Sequence, residues 1–141
     1  MRTKILVVDD DPDLLLLLRV TLAAEDFQSL LARNGEDAIR EIQTEAPHLV
    51  LLDIMMPVMD GWQVLRWMTD KGVQTPVIVV SAKASETDVA KALELGAIDY
   101  VTKPFDPDQL LQSILTALDR SPEDRNRRRA ERLDALSSGR A

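Results

Sequence analysis

Five short, largely apolar runs of β-prone residues recur along this chain, each followed by a segment carrying helix punctuation. The runs read at 4–8, 28–32, 49–52, 76–80 and 99–102. Runs of this length and character suit strands covered on both faces. Between them, Asp11-Pro12 sets a capping acid before a proline at the first helical position, which opens a helix over 13–25. Asn34-Gly35 turns into a helix near 36–44, and Gly61 opens a third that ends near Asp70-Lys71-Gly72. Ser85 caps a fourth that Gly96 stops, and Asp106-Pro107 caps a fifth running to about Leu118, with Gln109 placed for a capping box. Five such βα units predict an α/β domain: a parallel sheet with right-handed crossovers and helices on both faces.

After residue 120 the character changes. Ser121-Pro122-Glu123-Asp124 starts a further helix, and Arg125 to Leu136 alternate arginine with acids at helical spacing. Asp124 with Arg128 and Glu123 with Arg127 are supporting pairs, Arg128 with Arg132 a repelling one. The division expected is a domain over 1–120 and a charged helical tail or linker over 121–141. Residues 1–120 carry 11 Lys and Arg against 20 Asp and Glu, and residues 121–141 carry 6 against 4. An acidic domain lacks the basic face that phosphate contacts require, so direct nucleic-acid binding by it is not expected. Arg127-Arg128-Arg129 reads as part of a solvated helix. The chain has no cysteine, which removes disulfides and thiolate metal sites. Met1-Arg2-Thr3-Lys4 runs straight into a strand with no signal-peptide pattern, and no apolar run is long enough to span a bilayer. A cytoplasmic protein without membrane partners is the expectation.

The chemistry gathers where the strands end. Val7-Val8 stops on Asp9, Asp10 and Asp11; Leu51-Leu52 stops on Asp53; Val79-Val80 stops on Ser81; Val101-Thr102 stops on Lys103-Pro104. In an open parallel sheet, ligands bind outside the carboxyl ends of the strands. With Asp11 committed to capping, Asp9, Asp10 and Asp53 remain as carboxylates that would repel one another, and a hard divalent cation such as Mg²⁺ relieves that repulsion. Lys103 and Ser81 suit the oxygens of a tetrahedral anion, although Lys103 also suits a salt bridge to Asp53. An aspartate beside a cation and a phosphate-binding lysine is placed to act as a nucleophile in phosphoryl transfer.

The motifs V-V-D-D-D-P at 7–12, L-L-D-I-M-M-P-V-M-D-G at 51–61, V-S-A-K at 80–83 and Y-V-T-K-P-F at 100–105 resemble those of the receiver domain of two-component response regulators. The resemblance spans residues 4–120, and the order and spacing of the motifs make it specific. It implies a flavodoxin-like doubly wound (βα)5 sheet of order 2-1-3-4-5. It implies that Asp53 accepts a phosphoryl group from a sensor histidine kinase or a histidine phosphotransfer protein. Mg²⁺, with Mn²⁺ as a substitute, would be held by Asp10, Asp53 and the backbone carbonyl of Met55, with Asp9 reaching it directly or through water. Ser81 and Lys103 would bind phosphoryl oxygens, and the Lys103–Pro104 bond would be cis. Phosphorylation would draw the Ser81 hydroxyl toward the phosphate, and Tyr100 would fill the vacated space. The output face would be the fourth helix, fifth strand and fifth helix, about residues 85–118, acting on a downstream effector domain or protein. A homodimer through that face or through the leucine-rich first helix is left open.

Two rival readings differ in chemistry. A Mg²⁺-dependent phosphohydrolase with an aspartyl-phosphate intermediate usually carries a second acid two residues after the nucleophile; here that residue is Met55. A docking module indifferent to phosphorylation would not need Asp9, Asp10, Asp53, Ser81 and Lys103 together. The domain is therefore expected to carry a signal with slow self-dephosphorylation and not to be a turnover enzyme. His48, the single histidine, is given no role, and Trp62 and Trp67 are expected to pack, Trp62 near the pocket. Leu14 to Leu18 leave apolar side chains beyond the one stripe a sheet-covering helix needs, a surplus expected to meet the tail helix or a second subunit.

Overall fold

In a computed structural model, which describes residues 2–83 and 85–138, the five runs become strands β1 (Lys4–Val8), β2 (Gln28–Ala32), β3 (Leu49–Leu52), β4 (Val77–Ser81) and β5 (Asp99–Thr102). Helices α1 (Pro12–Ala24), α2 (Gly35–Glu45), α3 (Gly61–Asp70), α4 (Glu86–Glu94) and α5 (Pro107–Leu118) alternate with them, and α6 (Pro122–Ser138) follows. The strands are parallel in the order β2-β1-β3-β4-β5. This is the doubly wound flavodoxin-like order, with a C-terminal helix added.

Successive strand residues point to opposite faces, so each central strand feeds two cores. Leu6, Val8, Val50, Leu52 and Val79 pack under α2, α3 and α4. Ile5, Val7, Leu51, Ile78 and Val80 pack under α1 and α5, against Leu15, Leu18, Leu22, Leu110 and Ile114. β1, β3 and β4 are almost wholly buried, and each large apolar side chain so placed contributes about 1.5–3 kcal/mol.

Register delivers the chemistry to one rim. Val8 is paired with Leu52, so Asp9 and Asp53 leave the sheet side by side, and the Asp53 N–H donates to the Val8 carbonyl at 3.0 Å. Ser81 is paired with Thr102, and the Lys103 N–H donates to the Ser81 carbonyl at 2.9 Å. The Lys103–Pro104 bond is cis.

Local punctuation agrees with the sequence at most helix ends. Asp11 caps α1 with Pro12 behind it, Ser85 caps α4, and Gly96 follows that helix at φ +113°. The capping box expected at Asp106–Gln109 does not form, because the Asp106 carboxylate accepts the Asp108 N–H instead. A complete capping box stands at the start of α3, where Asp60 accepts from the Gln63 N–H and the Gln63 side chain accepts from the Asp60 N–H.

The tail helix does not cover the surplus leucines of α1, one of the two partners expected for them. Leu16, Leu17 and Val20 of α1 stay exposed at 58%, 48% and 62%. α6 lies instead along α4 and the start of β5, where the Arg132 guanidinium donates to Asp99 at 2.6 Å. The reason is chemical: the surplus leucines have nothing to offer the arginines that make up half of the half-buried residues of α6. Within α6, Asp124 pairs with Arg128 at 3.7 Å and with Arg127, which turns to it rather than to Glu123.

Candidate functional site

The rim at the carboxyl ends of β1, β3, β4 and β5 gathers five of the residues singled out in the sequence. Asp9 and Asp53 are 3% and 5% exposed, Ser81 is fully buried, and Asp10 stands open to solvent. Lys103 bridges the first two: its Nζ donates to Asp9 Oδ2 at 2.6 Å and to Asp53 Oδ2 at 3.3 Å. The other oxygens are held by backbone, Asp9 Oδ1 by the Asp11 N–H at 2.9 Å and Asp53 Oδ1 by the Met55 N–H at 3.2 Å. Both carboxylates are therefore oriented before any ligand arrives.

Burial pushes the Asp53 carboxyl above the usual aspartate range, the Asp9 charge adds to the rise, and Lys103 and the Met55 N–H oppose it. For Lys103, burial works against the charged form, but the hydrogen bond to Asp9 and the charges of Asp53 and Asp9 outweigh it and raise the ammonium pKa. The ammonium is thus firmly protonated.

Asp9, Asp10 and Asp53 each offer a carboxylate oxygen within 4.8 Å of the others. An all-oxygen, anionic set of this kind, open to water on the Asp10 side, fits a hard cation that keeps part of its hydration shell, as Mg²⁺ or Mn²⁺ does. The backbone beside it is tightly drawn. A Cβ on Gly61 would stand 2.3 Å from the Asp53 carbonyl oxygen and 2.7 Å from the Ile54 Cα. Glycine is what lets the start of α3 lie against the acceptor loop, and the Gly61 N–H ties it there by donating to Ile54 at 2.9 Å.

Beside the carboxylates runs an open groove of about 410 Å³ lined by Asp10, Met55, Met56, Pro57, Trp62 and Lys83. Trp62 lies close to the pocket, as expected, and carries Lys91 Nζ 4.3 Å from its ring centroid. On the inner side, Ser81 Oγ accepts the Lys83 N–H at 3.2 Å and the Tyr100 hydroxyl donates to the Lys83 carbonyl. Tyr100 is buried in the core under α4, which raises its phenol pKa, so its ring is already turned inward. His48 lies away from the site: its Nδ1 accepts the Lys4 N–H at 3.0 Å and its own N–H donates to Lys4 at 2.9 Å, tying β1 to the approach to β3.

Sequence reasoning passed over Gly61 as a contact with Asp53 and Asp60–Gln63 as the device that fixes α3 beside it. The D-x-x-Q spacing was a readable signal for the second. The link from Arg132 to Asp99 had no sequence signal.

Comparisons with known proteins converge on one family. The family model described as response regulator receiver domain matches residues 5–115. The alkaline phosphatase synthesis transcriptional regulatory protein PhoP of Bacillus subtilis is 38% identical over 121 residues, covering 86% of this chain and 50% of that protein. The DNA-binding response regulator MtrA of Mycolicibacterium smegmatis is 41% identical over 125 residues, covering 88% and 54%. The chain thus spans about half the length of the curated relatives it matches. Among solved structures, the signal receiver domain of a LuxO repressor protein from Vibrio parahaemolyticus superposes with a TM-score of 0.82 at 31% identity, covering 85% of this chain and 92% of that one. The BeF3-activated DrrB receiver domain superposes with a TM-score of 0.77 at 36% identity, covering 85% and 100%.

Proposed function

The chain belongs to the response regulator receiver domain family, and from that premise we propose that Asp53 accepts a phosphoryl group from a histidine kinase or histidine phosphotransfer protein. The observation that carries this reading is the convergence of Asp9, Asp53 and Lys103, from three separate strand ends, on one buried point. A phosphohistidine on the partner is the donor. An Asp53 carboxylate oxygen forms a bond to phosphorus as the phosphorus–nitrogen bond to the partner's imidazole breaks, and the imidazole leaves to be protonated by solvent. Asp53 must be ionised to attack, and the Lys103 ammonium favours that form against burial.

Asp9, Asp10, Asp53 and the Met55 carbonyl are the ligands assigned to Mg²⁺, with Mn²⁺ able to replace it. The bound cation supplies charge neutralisation for the phosphoryl oxygens, which a cluster of carboxylates cannot. Lys103 already lies against Asp53, so a phosphoryl oxygen there replaces a carboxylate contact without rebuilding the site. Ser81 is assigned to a second phosphoryl oxygen. To reach it the hydroxyl gives up the Lys83 N–H, and because the Tyr100 hydroxyl rests on the same residue, the change passes to β5. The α4-β5-α5 face then carries the output to an effector domain or protein. Met55, exposed where a hydrolase would set a second acid, supports a persistent signal with slow self-dephosphorylation over turnover. Cytoplasmic operation fits this partner set, and no helix among the described residues is long and apolar enough to cross a membrane.

The test is the intact mass of the chain after incubation with acetyl phosphate and Mg²⁺. The expected result is a gain of one phosphoryl group in the native chain and none in Asp53→Asn or in the presence of a chelator. No gain in the native chain refutes phosphoacceptance; a fast, continuing release of phosphate favours a hydrolase.

A further inference from the structure

α6 follows the segment that the family model matches, which ends at residue 115. Its mode of docking is also unlike that of the other helices. A surface helix normally buries an apolar stripe. The half-buried residues of α6 are Asp124, Arg125, Arg129, Arg132, Leu133 and Leu136, so half of its inward positions are arginines.

Each arginine meets a different element. Arg125 Nη1 donates to the carbonyls of Ala117 at 3.1 Å and Arg120 at 2.9 Å, at the carboxyl end of α5. Arg129 sits at the carboxyl end of α4, its Nη1 3.6 Å from where a Gly96 Cβ would stand. Arg132 donates to Asp99 at the first residue of β5. The carboxyl ends of two helices carry partial negative charge, and Asp99 carries a full one. α6 is therefore held by guanidinium hydrogen bonds to the end of α5 and to the start of β5, with Arg129 beside the end of α4, and these elements need not move together.

One of those points leads back to the site. The Asp99 oxygen that takes Arg132 also accepts the Tyr100 N–H at 2.8 Å. The Tyr100 hydroxyl rests on the Lys83 carbonyl, and the Lys83 N–H rests on Ser81. A continuous line of contacts thus joins α6 to the residue assigned to a phosphoryl oxygen.

We propose that α6 is a reversible latch, docked on α4, β5 and α5 while Asp53 is unphosphorylated and released when Asp53 is phosphorylated, an inference that rests on the phosphoacceptor reading. The direction follows from the way the arginines grip separate elements. The arginines match the present arrangement of α4, β5 and α5, in which Lys103 lies on Asp9 and Asp53. A shift of the segment after Ser81 relative to β5 breaks at least one match, which leaves the Arg120–Asp124 ion pair and the half-buried Leu133 and Leu136 to hold α6. By linkage, weakening the latch favours phosphorylation to the same degree. Released, α6 uncovers Asp99 and the adjoining ends of α4 and α5 to a partner.

Most of a helix's stability in a protein comes from tertiary packing, so release of the 17-residue α6 is readable as lost amide protection. Hydrogen–deuterium exchange of residues 122–138 is followed on the full chain with Mg²⁺, before and after acetyl phosphate, with intact mass recording phosphorylation. The expected result is exchange about fivefold faster or more in the phosphorylated chain. Arg132→Gln is expected to exchange fast without phosphorylation, whereas Arg127→Gln, whose side chain pairs with Asp124 of α6 itself, leaves α6 protected. Equal protection in a chain shown to carry the phosphoryl group overturns the latch, as does an Arg132→Gln chain protected like the native one. A chain that gains no mass refutes the reading of Asp53 and the control of release with it, while the Arg132→Gln comparison still decides how α6 is held.

Discussion

Val58 is a residue whose backbone works against its side chain. It lies five positions after Asp53 with φ +69°, and the Met59 N–H reaches back to the Pro57 carbonyl at 2.8 Å, which makes a three-residue turn around it. A β-branched residue in the left-handed region is an outlier, and for L-residues the region costs about 1–2 kcal/mol. The side chain is 78% exposed, so it recovers nothing by burial. Val58→Gly is therefore expected to raise stability by about 0.5–1 kcal/mol, the relief of strain exceeding the entropy glycine adds to the unfolded chain. Thermal unfolding measures it, and a lower melting temperature in the variant contradicts the strain. The turn also explains why a side chain here is tolerated at all. Pro57 and the Asp60 cap fix the loop on either side, and Gly61 clamps it to Asp53, so Val58 takes the conformation left over. The sequence gives no means to see Val58 in this place, because its propensity argues against the conformation it takes.

The five runs and their punctuation made the strands readable because burial on both faces forces a one-dimensional signal, an apolar run ended by a polar residue. Helix ends were readable wherever a cap is a local matter, as at Asp11 and Ser85. α1 shows where that logic stops. Its five consecutive leucines do not say which of them face the sheet; the structure buries Leu15, Leu18 and Leu22 and leaves Leu16, Leu17 and Val20 in solvent. Leu18→Ala is expected to cost about 2–5 kcal/mol through lost burial and a cavity under β1 and β3. Leu17→Gln is expected to change stability by no more than about 0.5 kcal/mol. Urea unfolding of the pair reads the difference, and a large loss at Leu17 would mean that this face is covered in solution. α6 was legible as a helix, but its docking was unreadable for the opposite reason. Its contacts run from guanidinium groups to helix carboxyl ends and to Asp99, and such partners leave no periodic apolar trace. Tyr100 falls between the two cases: alternation along β5 gives its face, but its depth is set by α4, a non-local neighbour.

For the whole molecule, the site trades stability for readiness. The Asp53 carboxyl titrates above its unfolded value because it is buried beside Asp9. The folded chain therefore binds that proton more tightly than the unfolded one, and the penalty of the buried charge is absent at pH values below the unfolded pKa and complete above the folded one. Asp53→Asn removes the charge while Lys103 keeps its 2.6 Å contact with Asp9. Without divalent cation at neutral pH, that variant is expected to be more stable than the native chain by about 1 kcal/mol. The advantage shrinks as the pH falls through the range in which Asp53 takes up its proton. Mg²⁺ is expected to reverse the order, because a cation held in the folded state alone adds about 2.7 kcal/mol at a hundredfold excess over its dissociation constant, and Asp53→Asn lacks one of the proposed ligands. Melting curves of both chains, with chelator and with Mg²⁺ at several pH values, are expected to cross. A native chain that outlasts the variant in chelator would mean that the Lys103 contact at 3.3 Å outweighs the burial of Asp53, and parallel curves in Mg²⁺ would remove Asp53 from the cation site. The instability expected of Asp53 suits the proposed phosphoryl acceptor: a buried, ionised carboxylate whose charge Lys103 only partly offsets until a cation binds.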